Sequence, residues 1–125
     1  MKTVLIVEDT DIQRNMLHYG LREHFRVLTA IDAKEALDKI ITFQPHAVVL
    51  DVQLPGELDG IQLCELVKAN RSLRDTHILL ATGDVDAALD NLGGDQTLRA
   101  DDLVLKPYSI SDIVSKINKA LPFVK

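Results

Sequence analysis

Residues 47–51 read Ala-Val-Val-Leu-Asp, four apolar residues closed by a single acid. A strand with water on one face alternates polar and apolar residues. An unbroken apolar run is the pattern of a strand covered on both faces, the usual state of a parallel strand. The pattern recurs at Val4-Leu5-Ile6-Val7, at Ile78 to Ala81 and at Leu103-Val104-Leu105, and Arg26 to Ala30 forms a further, more polar strand candidate. Between the runs lie stretches of helical spacing. Ala33, Ala36, Leu37, Ile40 and Ile41 share one helical face, with Asp32 and Glu35 placed for a capping box at its start. Val85, Ala88, Leu89 and Leu92 repeat the spacing up to a stop at Gly93-Gly94. Ile110, Ile113, Val114, Ile117 and Leu121 repeat it again, behind Ser109 as cap and with Pro122 beyond the end. Segments 11–24 and 60–69 are also helical, with less regular stripes. Strand and helix alternate five times, which predicts an α/β fold of (βα)5 type. Right-handed crossovers then place a parallel five-stranded sheet between two helical layers, a three-layer sandwich.

These units occupy residues 1–125, so the sequence predicts one domain with no linker, repeat or low-complexity stretch. A composition of 46% apolar and 26% charged residues is that of an ordinary globular protein. No apolar run approaches the ~20 residues that span a bilayer, and no signal peptide opens the chain. The single cysteine, Cys64, rules out an intrachain disulfide framework and fits a reducing compartment. A net charge of −5 argues against direct nucleic-acid binding. The expectation is a small acidic cytoplasmic domain with no membrane partner.

Parallel sheets of this kind bind ligands beyond the C-terminal strand ends. Those ends carry Glu8-Asp9, Asp51, Thr82-Gly83 and Lys106-Pro107, whereas the second strand runs into Asp32, already assigned as a cap. Each has an ordinary explanation taken alone: a strand-end Asp as a helix cap, adjacent acids on a solvated turn, a lysine before proline in a loop. Their convergence on one sheet edge does not. Three carboxylates and one ammonium leave −2 in a small volume, and like charges a few ångströms apart oppose joint ionisation. One divalent cation would neutralise the set, and Mg2+ suits a site of few carboxylates, waters and a phosphate oxygen. Asp51 is then a candidate nucleophile toward a phosphoryl donor. Mg2+ and Lys106 would each take a phosphoryl oxygen, and the Thr82 hydroxyl and Gly83 N–H the third. Gly83 leaves room for a phosphoryl group to approach the backbone.

With these residues in place, the whole chain resembles the receiver domains of bacterial two-component response regulators, the chemotaxis-type, flavodoxin-like fold. The matching stretches are Val4 to Asp9, Val48 to Pro55 followed by Asp59-Gly60, Leu79 to Gly83, and Leu103 to Tyr108. The resemblance implies strand order 2-1-3-4-5 and transfer of a phosphoryl group to Asp51 from a histidine kinase or histidine phosphotransfer protein. It implies Mg2+ held by Asp9, Asp51 and the Gln53 backbone carbonyl, with Glu8 acting mainly through water. Lys106 would pair with the phosphoryl group, Thr82 would turn inward to it, and the Lys106-Pro107 bond would be cis. The downstream partner would be an output domain or protein. The face of the fourth helix, fifth strand and fifth helix would serve for output or for a homodimer.

Three departures stand out. Asp59 and Gly60 lie eight and nine residues after Asp51, one more than is common in the family, so the loop Pro55-Gly56-Glu57-Leu58 holds an extra residue where little core packing should suffer. The position three before the lysine, usually an aromatic switch residue, is Leu103. Signalling would then rely on the loop after the fourth strand and on the fourth helix. Gly93-Gly94 would end that helix early, since a glycine inside a helix costs about 1 kcal/mol. Gln53 and Asp84 flank the site where the lifetime of an acyl phosphate is tuned, and Asp84 could equally cap the fourth helix. His18, His24, His46 and His77 show no ligand spacing, Cys64 reads as buried and inert, and Asp101-Asp102 match an acidic turn without catalysis.

Three other functions fit the sequence less well. A small phosphohydrolase of the haloacid dehalogenase type needs a second Asp two residues after its nucleophile, and Gln53 stands there. A pseudo-receiver, an interaction module never phosphorylated, is at odds with intact Glu8, Asp9, Asp51, Thr82 and Lys106. A flavin site lacks a phosphate loop, because Asp9-Thr10-Asp11 would repel one.

Overall fold

A computed structural model describes residues 1–84, 86 and 100–122. The strands are β1 (Thr3–Val7), β2 (Arg26–Ala30), β3 (Ala47–Asp51), β4 (His77–Thr82) and β5 (Asp102–Leu105). They form one sheet in the order β2-β1-β3-β4-β5, with every neighbouring pair parallel. Four helices lie among the described residues: α1 (Asp11–Leu21), α2 (Ala33–Phe43), α3 (Gly60–Ala69) and α4, the last helix (Ile110–Ala120). The predicted helix over 85–92 and its stop at Gly93-Gly94 lie outside the described residues.

The period-2 geometry of the strands sorts the core into two layers. Leu5, Val7, Val48, Leu50, Ile78 and Leu80 point to one face, where they meet Ala36 and Ile40 of α2 and Ile61, Cys64 and Val67 of α3. Val4, Ile6, Val49, Leu79, Ala81 and Val104 point to the other, against Leu17 and Leu21 of α1 and Ile113 and Ile117 of α4. β1, β3 and β4 are almost entirely buried, which is why their sequences carry no polar alternation. The two edge strands are half-exposed and read less cleanly.

The caps follow the local sequence. Ser109 and Asp112 form a reciprocal capping box on α4, and Asp59 and Gln62 form one on α3. Asp32 caps α2 by accepting from the Glu35 N–H at 2.8 Å. The box expected there is only half made, because the Glu35 carboxylate turns to Lys39 one helical turn on, at 3.5 Å. α1 ends at Leu21, three residues short of the expected 24. It exposes Ile12, Met16 and Tyr19 to water, which blurs its apolar stripe.

The β3–α3 loop turns at Gly56, whose φ of +95° only glycine adopts freely. Pro55, Gly56 and Glu57 are exposed, as expected of a loop that spares the core. Leu54 and Leu58 nonetheless pack against the α2–α3 layer and tie the loop down.

Candidate functional site

The backbone ladder fixes where each polar side chain emerges. β3 runs one residue further than the apolar run, so Asp51 is its last residue and pairs in register with Ala81 of β4. The Glu8 N–H donates to the Ala30 carbonyl at 3.0 Å, which holds the acidic pair directly beyond β1. The Lys106 N–H donates to the Thr82 carbonyl at 2.9 Å, which holds the lysine directly beyond β5. Four parallel strands thus deliver Glu8-Asp9, Asp51, Thr82 and Lys106 to one sheet edge.

Carboxylate oxygens of Glu8, Asp9 and Asp51 lie within 4.8 Å of one another. Lys106 Nζ donates to Asp51 Oδ2 at 2.8 Å, and the Gln53 N–H donates to Asp51 Oδ1 at 3.0 Å. Both oxygens of Asp51 are therefore held. Glu8 is only 6% exposed and its Oε2 has no hydrogen-bond partner, whereas Asp9 is exposed. Burial pushes the Glu8 carboxyl up to about 7, helped by hydrogen bonding to Asp51 and by the charges of Asp51 and Asp9, with Lys106 opposing. Tyr108, half-buried beside the site, is pushed up to about 12, first by burial and then by Glu8 and Asp51, and stays a neutral phenol.

An all-oxygen donor set, an excess of negative charge and an orphaned buried carboxylate oxygen are what a hard divalent cation satisfies. The residues present fit such an ion.

The remaining positions divide. The Thr82 hydroxyl is engaged with the next loop, accepting from the Asp84 N–H at 3.1 Å and donating to the Asp84 carbonyl at 3.0 Å. Gly83 is exposed, and a Cβ added there would meet nothing within 4 Å. The Lys106-Pro107 peptide is cis, as expected. Leu103 is half-buried and packs against the same layer as Leu54 and Leu58. Asp101 has a structural place: its Oδ2 accepts from the Ile78 N–H at 2.7 Å and pairs with Lys68 Nζ at 2.6 Å.

Residues 4–118 match the family described as the response regulator receiver domain. The chain belongs to that family. It is 35% identical over 121 residues to the alkaline phosphatase synthesis transcriptional regulatory protein PhoP of Bacillus subtilis, covering 96% of this chain and 48% of that protein. The receiver domain thus spans about half the length of that relative. Its fold matches the signal receiver domain of a signal transduction histidine kinase from Syntrophus aciditrophicus with a TM-score of 0.86, at 28% identity over 100% of this chain and 93% of that one. A response regulator receiver modulated diguanylate cyclase from Pelobacter carbinolicus matches with a TM-score of 0.79, at 27% identity over 98% and 93% of the two chains. The domain is a two-component signalling module and not a conventional enzyme. Its acidic edge agrees with a phosphoacceptor aspartate and a divalent cation, and nothing in the comparisons supports a dehalogenase-type hydrolase. No described helix of the receiver is long and apolar enough to cross a membrane.

Two residues near the site had no role assigned from the sequence. Arg14 of α1 reaches back to the β1–α1 loop, and Tyr108 packs beside the carboxylates. Only an alignment of helix register with the strand end would have found Arg14, since an arginine on a surface helix is otherwise ordinary.

Proposed function

We propose that Asp51 accepts a phosphoryl group from a phosphohistidine on a histidine kinase or phosphotransfer protein, and that the change is passed to an output partner. The P–N bond of a donor histidine protonated on its other ring nitrogen breaks, a P–O bond to the Asp51 carboxylate forms, and the histidine leaves as neutral imidazole keeping that proton. The observation that carries this reading is the double engagement of Asp51, by Lys106 on one oxygen and the Gln53 N–H on the other. A structural aspartate would need the lysine but not two acidic neighbours beside it.

Glu8, Asp9, Asp51 and the Gln53 carbonyl are the groups that would hold Mg2+. When bound, it would supply positive charge to a phosphoryl oxygen. Lys106 then exchanges its carboxylate partner for a second phosphoryl oxygen. The Thr82 hydroxyl gives up its two bonds to the Asp84 backbone and, with the Gly83 N–H, meets the third. Leu103, in place of an aromatic residue, offers no ring to swing, so the output change runs through the Thr82–Asp84 loop. Gln53 and Asp84 would set how long the acyl phosphate survives water. The same site permits self-phosphorylation from small donors and slow autodephosphorylation. A kinase partner of this kind goes with a cytoplasmic location for the domain.

The test is incubation with Mg2+ and acetyl phosphate followed by intact-mass measurement. Addition of one hydroxylamine-labile phosphoryl group, absent in Asp51→Asn and when EDTA replaces Mg2+, supports the reading. Steady hydrolysis of simple phosphomonoesters with no trapped adduct would overturn it.

A further inference from the structure

Arg14 sits on the first turns of α1, yet its side chain is only 16% exposed, low for an arginine on a helix facing water. It is folded back over the loop that carries the acidic pair. Its Nη1 donates to the Glu8 carbonyl at 3.1 Å and to the Asp9 carbonyl at 3.3 Å, and its Nη2 pairs with Asp11 Oδ1. The two carbonyls lie past the end of β1, where the sheet no longer supplies donors to that strand. A guanidinium offers planar, fixed donors that an ammonium does not, so one side chain can hold two successive peptides in a set orientation.

We propose that Arg14 is a positioning residue of the acidic site: it clamps the Glu8 and Asp9 peptides so that their carboxylates face the Asp51 carboxylate. The inference rests on the reading of this edge as a divalent-cation site. Asp11, paired with the same guanidinium, neutralises it, so the clamp adds little positive charge where a cation is to bind. The arrangement explains how the β1–α1 loop can hold its two carboxylates within 4.8 Å of each other and of the Asp51 carboxylate at the end of β3 without spreading outward. Like charges would otherwise spread the turn, and the fork is the restraint that opposes this.

A merely structural arginine, stabilising α1 through its pair with Asp11, would change thermal stability and leave cation affinity alone. The two roles separate in Arg14→Met, which keeps the apolar stem, and Arg14→Lys, which keeps stem and charge but loses the fork. Mg2+ binding is measured on the full chain by titrating MgCl2 and following amide shifts of residues 8–11 and 51–53, with melting in EDTA recorded alongside. Outer partners of metal ligands change affinity by roughly 10-fold or more when removed, and that weakening is expected for Arg14→Met, with Arg14→Lys intermediate. Labelling by acetyl phosphate should show its Mg2+ dependence displaced to higher concentration more than its limiting rate is lowered. If Arg14→Lys, or a folded Arg14→Met, binds Mg2+ as the unaltered chain does, the clamp is refuted while the site stands. If the unaltered chain itself shows no saturable Mg2+ binding, the reading of the site falls first and the clamp with it.

Discussion

Replacing Glu8 by glutamine should stabilise the metal-free domain, an unusual outcome for a change in a functional cluster. The Glu8 carboxyl is buried to 6% exposure and is raised from 4.5 to about 7. Because the folded value lies above the unfolded one, the native state binds a proton that the unfolded chain has released between those two pH values. Stability is therefore highest below the unfolded value, falls as pH rises, and levels off once the folded group ionises. The span corresponds to roughly 3 kcal/mol against the ionised form. Glutamine is nearly isosteric and neutral at every pH, so Glu8→Gln should recover about 2 kcal/mol near pH 8 in EDTA. For a domain of this length that is a rise in Tm of about 8 °C. The assay is thermal unfolding in EDTA by circular dichroism, from about pH 4.5 to 8.5. The two proteins should melt together at the acid end and diverge through neutrality. Added Mg2+ should then raise the Tm of the unaltered chain above neutral pH and do little for Glu8→Gln, because binding energy accrues only where the ligands are complete. A parallel pH dependence in the two proteins, or a less stable Glu8→Gln near pH 8, would refute the argument that this carboxylate is held under electrostatic strain.

Two further outcomes follow from local packing. A Cβ built on Gly60 falls 2.1 Å from the Asp51 carbonyl oxygen and 2.9 Å from Val52 Cα, both backbone atoms. Gly60→Ala should therefore cost about 2–3 kcal/mol by chemical denaturation and also slow labelling of Asp51, since the strand end itself must move. An unchanged midpoint would show that α3 can retreat without disturbing β3. Ser109→Ala removes one half of the α4 capping box and should cost about 1 kcal/mol. The Ser109 backbone N–H and side chain hold the Asp112 carboxyl below its ordinary range, so its contribution is present above the unfolded value and is lost as pH falls through the folded one. Acid titration of Ser109→Ala should show a higher Asp112 midpoint than the unaltered chain, and an equal midpoint would remove the cap from the account.

Strands were legible because β1, β3 and β4 are buried on both faces, leaving a sequence signal free of competing polar demands. Their ends were placed within a residue or so for the same reason. The convergence of Glu8, Asp9, Asp51, Thr82 and Lys106 was legible too, since strand order alone brings parallel C-termini together. Burial was not. Adjacent acids give no sign of which one turns inward, and here Glu8 is enclosed while Asp9 faces water. The state of Thr82 was equally hidden: a hydroxyl expected to turn to a phosphoryl group is occupied by the Asp84 backbone. Arg14 escaped notice, and Asp101 was read only as part of an acidic turn, because each also bonds main-chain atoms, which leave no trace in residue identity. The half-made box at Glu35 has a different cause, a competing side-chain partner, Lys39, one turn further along α2.

The order of the sheet has a consequence for quality control. Asp51 and Lys106 are 55 residues apart in sequence, and the strand between them in space, β4, must pair on both sides before their side chains meet. The acidic pair comes from β1, on the opposite side of β3. A chain that has closed only its first βαβ unit, or one whose C-terminal strand has not yet docked, lacks the pairing of aspartate and ammonium. Such long-range closures are the slow part of folding for parallel sheets. On the proposed role of Asp51, a nascent or damaged copy would be poor at taking up a phosphoryl group, and a signalling system built on this domain would count only finished molecules.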